Sequence, residues 1–189
     1  MTTTRNTTTP GHAAATGTHL PAGLFTLRPG DPGTDTPLVH TWMNDPEVAR
    51  FWEMPHPADR IGRYLRDQHT SSHSAPYLGC LDGTPMSYWE LYRADLDPLA
   101  RHYTARPHDA GVHLLLGPAR HRGRGLGAQL LRAVSDWQLA ADPRAERVVA
   151  EPDVRNTRSV RAFRRAGFGI EQEIELPDKR AVLMVRERS

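Results

Sequence analysis

An apolar stretch, a glycine-rich loop and an amphipathic helix follow one another between Gly111 and Trp137, and this succession constrains the fold more than any other feature. Gly111 to Leu116 reads as a strand, Gly117-Pro118 breaks it, and Leu126, Leu130, Val134 and Trp137 recur at helical spacing. Between them stands Arg122-Gly123-Arg124-Gly125-Leu126-Gly127. A loop of this kind opening a helix leaves several backbone N–H groups without intrahelical partners, and the helix dipole favours an anion there. It reads as a seat for phosphate groups, with a plain glycine turn as the alternative. A dinucleotide fold would require a parallel sheet and an acidic residue about 20 residues further on. Antiparallel hairpin signals flank this region instead.

Those signals run along the chain. Gly23 to Arg28 reads as a first strand, and a helix is expected from Pro37, with Leu38 over Trp42 and Val39 over Met43. Asp45 is expected to cap a further turn begun by Pro46, and Ile61, Tyr64, Leu65 and Gln68 mark one face of another helix. Pro76 to Leu81 and Thr84 to Tyr92 flank Asp82-Gly83, a pair suited to a type I′ turn. Arg147 to Glu151 reads as a buried strand and Thr157 to Ala166 as a helix closed by Gly167. Two final strands, Phe168 to Leu176 and Arg180 to Arg186, form a hairpin.

With 189 residues, 38% hydrophobic and 24% charged, the chain suits one soluble α/β domain over residues 22–189. Residues 1–21, rich in Thr, Ala and Gly, read as a disordered tail. No apolar run approaches the ~20 residues that span a bilayer, and no secretory leader is legible at the amino terminus. A cytoplasmic location is therefore expected, without a membrane partner. Cys80 is alone, which rules out an internal disulfide. Lys179 is the only lysine, and arginine supplies every other basic side chain. The arginines cluster at Arg120 to Arg124 and Arg155 to Arg165, but a net charge of +2 argues for a local phosphate site rather than nucleic acid. The ten histidines are scattered without metal-ligand spacing, so no metal is expected.

A second motif joins the first: Asn156-Thr157-Arg158-Ser159, then Phe163, then Gly167-Phe168. Together with the glycine-rich loop, this order of elements resembles the GNAT superfamily of N-acyltransferases, from Gly23 to the end. The resemblance implies a central mixed, mostly antiparallel sheet, splayed between its fourth and fifth strands and flanked by helices. It also implies acyl-coenzyme A, acetyl or succinyl, as co-substrate, its pantetheine arm in the opening and its pyrophosphate on the amides of Gly123, Gly125 and Gly127, near Arg122 and Arg124. Asn156 and Ser159 would reach the pantetheine end. Phe163 stands where many members carry a tyrosine that protonates the leaving thiolate.

Strand alternation sends Val112, Leu114 and Leu116 to one face and His113 and Leu115 to the other. The run Asp109 to Pro118 resembles the branch that acylates N-hydroxylated diamines and N-hydroxylysine for hydroxamate siderophores, as do Trp42-Met43-Asn44 with Phe51-Trp52, and Pro85-Met86-Ser87-Tyr88-Trp89-Glu90. That branch implies His113 as the group taking the proton from the acceptor nitrogen, Asp153 as its partner or the nucleophile's, and a strand amide, that of Leu115, holding the oxyanion. As residues, a lone strand histidine such as His113 is more often satisfied structure than catalyst, and only its place on the strand expected to hold the thioester reverses that, while Asp153 reads equally as a turn cap. Trp42, Asn44, Trp52, Tyr88 and Trp89 are expected to line a slot for an aliphatic diamine, with Glu90 or Asp109 receiving its distal cation. Ordinary core is the alternative for each aromatic residue. The expected partner is a small hydroxylamine or amine, and the chain a monomer or homodimer. Two other readings stand beside this one: an aminoglycoside 6′-N-acetyltransferase, and a non-catalytic acyl-CoA-binding sensor.

Overall fold

The structure, a computed structural model, describes residues 17–188. Eight strands form one sheet in the order β1-β2-β3-β4-β5-β6-β8-β7. They are β1 (Gly17–Leu20), β2 (Gly23–Pro29), β3 (Ser74–Leu81), β4 (Thr84–Arg93), β5 (Ala110–Leu116), β6 (Arg147–Ala150), β7 (Gly169–Glu175) and β8 (Arg180–Glu187). Five helices flank them: α1 (Pro32–Met43), α2 (Pro46–Trp52), α3 (Ala58–Thr70), α4 (Leu126–Ala141) and α5 (Thr157–Arg165). No helix among the described residues is long and apolar enough to cross a membrane.

Local chemistry explains where most elements begin and end. Asp82 and Gly83 both adopt positive φ, 47° and 77°, as a type I′ turn requires, and they set the β3–β4 register. Asp45 caps α2 through its side chain, with Pro46 in the first turn. Gly167, at φ 99°, ends α5 in the left-handed region. Two expectations are corrected. Residues 17–20 pair antiparallel with β2 instead of lying in a disordered tail, because the turn at residues 21–22 folds them back; residues 1–16 of that tail lie outside the described residues. Helix α1 starts at Pro32 rather than Pro37, because Asp31 accepts a hydrogen bond from the Gly33 amide and Asp35 pairs with Arg28 at 2.6 Å, which fixes the first turn.

All neighbouring strands pair antiparallel except β5 and β6. These run parallel and touch only at Ala110 with Val148 and Gly111 with Val149. Beyond that point β5 continues along β4 to Leu116, and β6 stays with β8, so the sheet opens between them. With β1 counted, this is the splay expected between the fourth and fifth strands.

The sheet separates two apolar layers. One face carries Met86, Trp89, Val112 and Ala150 against Leu130, Leu131 and Val134 of α4 and Phe163 of α5. The other carries Leu78, Tyr88 and Leu115 against Val39, Trp42 and Met43 of α1 and Ile61 and Leu65 of α3.

Candidate active site

Register lines up one face of the opening. Across β4 and β5, Tyr88 stands beside Leu115, Glu90 beside His113 and Tyr92 beside Gly111. Continuing the β5–β6 register past Gly111 and Val149 sets Glu151 opposite His113, where the main chains part but the side chains meet. Nδ1 of His113 lies 3.0 Å from Oε2 of Glu90, and Nε2 lies 2.5 Å from Oε1 of Glu151. A neutral imidazole has one N–H to donate, so two carboxylates at these distances call for the imidazolium. Burial opposes that charge, but Glu151 and then Glu90 outweigh it and raise His113 to about 10. Burial likewise opposes ionisation of Glu151, and His113, Lys179 and Tyr92 prevail, holding it at about 2.

Each carboxylate is satisfied further. Tyr88 donates to Oε1 of Glu90 at 3.1 Å, and Tyr64 of α3 donates to the same oxygen. Tyr92 donates to Oε2 of Glu151 at 2.9 Å. Burial, then the neighbouring carboxylates, keep all three phenols protonated, well above their ordinary range. Glycine at 111 makes the Tyr92 contact possible, since a Cβ there would sit 2.3 Å from the Tyr92 ring. Lys179, in the β7–β8 turn, places its Nζ 3.7 Å from Oε1 of Glu151. Trp52 stands edge-on to Tyr88 at 5.8 Å and to His113 at 6.2 Å, forming an apolar wall.

The structure thus brings together His113, Glu90, Tyr88 and Trp52 as expected, and it adds Glu151, Tyr92, Tyr64 and Lys179. Glu151 carries no sequence signal that singles it out; it meets His113 because it lies as far beyond Val149 as His113 lies beyond Gly111.

Several expected residues lie elsewhere. Asp153 turns to Arg155, which holds it at 2.6 Å and lowers its pKa, so the carboxylate meeting His113 is Glu151. Trp89 points to the opposite face, fully buried beside Phe25, because it alternates with Tyr88 and Glu90. Asp109 is closed off by buried Arg147 at 2.8 Å and by Tyr103, so it has no capacity left for a diamine cation. Asn44 is exposed, and its amide ties the end of α1 to the carbonyls of His40 and His56. Trp42 is core, its ring against Gly117, where a Cβ would lie 2.2 Å away.

The glycine-rich loop has the form an anion needs. Gly123 and Gly125 adopt φ of 73° and 78°, nothing lies within 4 Å of where their Cβ atoms would be, and α4 has no side-chain cap. Gly127 lies inside α4, close to Leu116 and Ala162. An open cleft of about 410 Å³ beside the loop is lined in part by Arg120, His121 and Arg124. Burial, and then the charges of these two arginines, lower the pKa of His121. Arg124 is exposed there, but Arg122 is structural: it donates to the carbonyls of Leu116 and Gly117 and pairs with Asp45 at 2.9 Å. Asn156 accepts from the Ser159 amide and caps α5. Phe163 is buried against Phe168, away from solvent, so it stands in for no acid.

The backbone settles which amides face the opening. Gly117 donates to Met86, and Ala94 donates to the Asp109 carbonyl, so the odd-numbered residues of β5 bond to β4. The Leu115 amide is therefore turned to β4, and that of Leu114 faces the splay.

Comparison with known proteins agrees with this geometry. Residues 31–176 match the acetyltransferase (GNAT) domain. The chain is 37% identical to an N(6)-hydroxylysine O-acetyltransferase of Escherichia coli, over 87% of this chain but only 52% of that protein's own length. It is 36% identical to the lysine N-acyltransferase MbtK of a Mycobacterium species, over 87% of this chain and 68% of that one. Among solved structures, a Bacillus halodurans protein superposes with a TM-score of 0.86 at 33% identity, covering 92% of this chain and 90% of that one. The aminoglycoside acetyltransferase AAC(6′)-Ib, in complex with paromomycin and acetyl-CoA, superposes at 0.76 with 26% identity, covering 87% and 93%. With its splayed sheet and open glycine-rich loop, the chain belongs to the GNAT acetyltransferase family.

Proposed function

We propose that the chain transfers an acyl group from coenzyme A to the nitrogen of an N-hydroxylated amine, such as N-hydroxylysine or N-hydroxycadaverine, giving a hydroxamate for siderophore assembly. The observation that carries this reading is the array Glu90–His113–Glu151, held across the mouth of the splay beside Trp52. Relatives named for hydroxylysine and lysine acylation support it.

Acyl-CoA supplies the thioester, and the chain supplies position and proton management. Amides of the loop at Gly123 and Gly125 and the start of α4 would receive the pyrophosphate. The Leu114 amide, facing the opening, is placed to stabilise an oxyanion. A hydroxylamine is less basic than an alkylamine and is largely neutral near pH 7, so it attacks without prior deprotonation. As the N–C bond forms and the C–S bond breaks, nitrogen must lose one proton and sulfur must gain one. Since His113 is charged at rest, a lone imidazole base is not the starting state. Instead the linked carboxylate, imidazolium and carboxylate pass one proton through: Glu151 or Glu90 accepts the proton from nitrogen and the imidazolium releases one that ends on the departing sulfur, so that the array's charge is restored.

Fold likeness to AAC(6′)-Ib favours an aminoglycoside acceptor as the second reading. A polycation needs carboxylates that are free, whereas Glu90 and Glu151 are engaged by His113 and Lys179. The deciding experiment crosses acetyl- and succinyl-CoA with N-hydroxycadaverine, N-hydroxylysine, their plain amines and an aminoglycoside, following thiol release. Preference for the N-hydroxylated acceptors, with a product that forms a coloured ferric hydroxamate, is the expected result. A product that is an O-acyl ester, or equal turnover of cadaverine and its N-hydroxy derivative, overturns the proposal.

A further inference from the structure

Lys179 is the one lysine in a chain with 24 lysine and arginine residues, and from the β7–β8 turn it reaches Glu151 at the mouth of the splay. Its side chain is 20% exposed, whereas that of Arg180, next in sequence, is 56% exposed. The ammonium approaches Oε1 of Glu151 at 3.7 Å, too far for a hydrogen bond, and Oε1 is the oxygen already held by His113. Lysine is a compact point charge that acts at such a distance without imposing a fixed fork, which an arginine would press into bidentate contact with the same carboxylate.

The charges around it can be counted. Glu90 and Glu151 are negative and the imidazolium of His113 is positive, which leaves one negative charge uncompensated. Asp153, also within the field of Lys179, is matched by Arg155. Tyr64, Tyr88 and Tyr92 contribute hydroxyls without charge. Lys179 supplies the missing positive charge. An acceptor site at net minus one draws in a protonated amine, which has no lone pair to attack with, whereas a site at net zero gives it no advantage over a neutral nitrogen.

We infer that Lys179 is the specificity-determining residue that sets the acceptor site for a neutral nitrogen, favouring a hydroxylamine over the protonated plain amine. The inference rests on the acyl-transfer reading for its catalytic meaning, but binding tests it separately. N-Hydroxycadaverine and cadaverine form a matched pair that differs in charge at the reacting nitrogen near pH 7. Their affinities are measured by calorimetry for the wild type, Lys179→Met and Lys179→Arg, beside turnover with acetyl-CoA. In Lys179→Met the affinity ratio should move toward cadaverine by on the order of tenfold, while Lys179→Arg keeps the wild-type ratio. A purely structural role would weaken both ligands equally. An unchanged ratio in Lys179→Met overturns the inference. So does a wild type that binds both ligands equally, which requires no variant to fold. A wild type that shows the affinity ratio but transfers no acyl group supports the inference and sinks the proposed function instead.

Discussion

The two faces of the β4–β5 ribbon are built from alternate residues of the same two strands, and they do opposite work. Toward α4, Trp89 and Val112 are fully buried in an apolar layer with no ionised group among them. Toward α1 and α3, Tyr88, Glu90, Tyr92 and His113 form a chain of hydrogen bonds that continues across the splay to Glu151. A one-residue step along the strand separates a residue that holds the fold from one that holds a proton. The contrast teaches that buried charge is tolerated on one face because each carboxylate is met by an imidazolium and by phenol donors. The other face has nothing comparable and must stay apolar.

The sharpest break in that comparison comes from changing one residue on each face. His113→Ala should lower turnover by roughly 10²–10⁴-fold, with acyl-CoA affinity nearly intact, as read by steady-state kinetics beside direct binding. Trp89→Ala should instead cost about 3–5 kcal/mol in denaturant unfolding, because it empties a fully buried site. If His113→Ala keeps full activity, His113 is a structural strand residue and the two faces differ only in polarity.

Next in size is the contrast between two neighbouring carboxylates. Glu151→Gln should reduce turnover by about 10²-fold by removing a member of the proton array. Asp153→Asn should stay within a few-fold, since its partner is Arg155 and not His113. A reversal of these two effects in parallel kinetics would restore Asp153 to the role expected from sequence. A smaller effect is expected at the loop: Gly125→Val, at φ 78°, should weaken acyl-CoA by on the order of tenfold in a folded protein, through backbone strain and a side chain where the pyrophosphate would rest.

A separate readout of the polar face is stability against pH. Glu151, lowered from 4.5 to about 2, contributes stability above pH 4.5 that is lost as pH falls toward 2. His113, raised from 6.5 to about 10, contributes fully below pH 6.5 and loses that contribution as pH rises through 10. Both are present together between pH 4.5 and 6.5. The Tm advantage of the wild type over His113→Asn should therefore shrink between pH 6.5 and 10, and an advantage that is constant over that window would show that His113 is not charged at rest.

Much of the fold is legible in the order of residues alone. Asp82-Gly83 fixed the β3–β4 hairpin because few residues accept two successive positive φ angles, and the spacing of Leu126, Leu130 and Val134 fixed the buried stripe of α4. Alternation alone placed His113 and Val112 on opposite faces. The same rule applied to Trp89 would have separated it from Tyr88, but aromatic character drew both into one expected slot. These features depend on neighbours in sequence, where backbone geometry leaves few choices.

Which carboxylate meets His113, which arginine stays free and which amides face the opening were decided only by the tertiary structure. Asp153 and Glu151 differ by two residues, and the chain alone does not tell that one closes on Arg155 while the other crosses the splay. Arg122 and Arg124 look alike in sequence, yet only Arg122 finds Asp45, which lies 77 residues away in the chain. Long-range pairing of this kind depends on strand register and on competition among several partners of the right charge. Charge and hydrogen-bonding capacity are properties of single residues, and the sequence determines them. The partner that satisfies them is a property of the packed chain, because a buried polar group is held by whatever donor or acceptor the fold brings within about 3 Å.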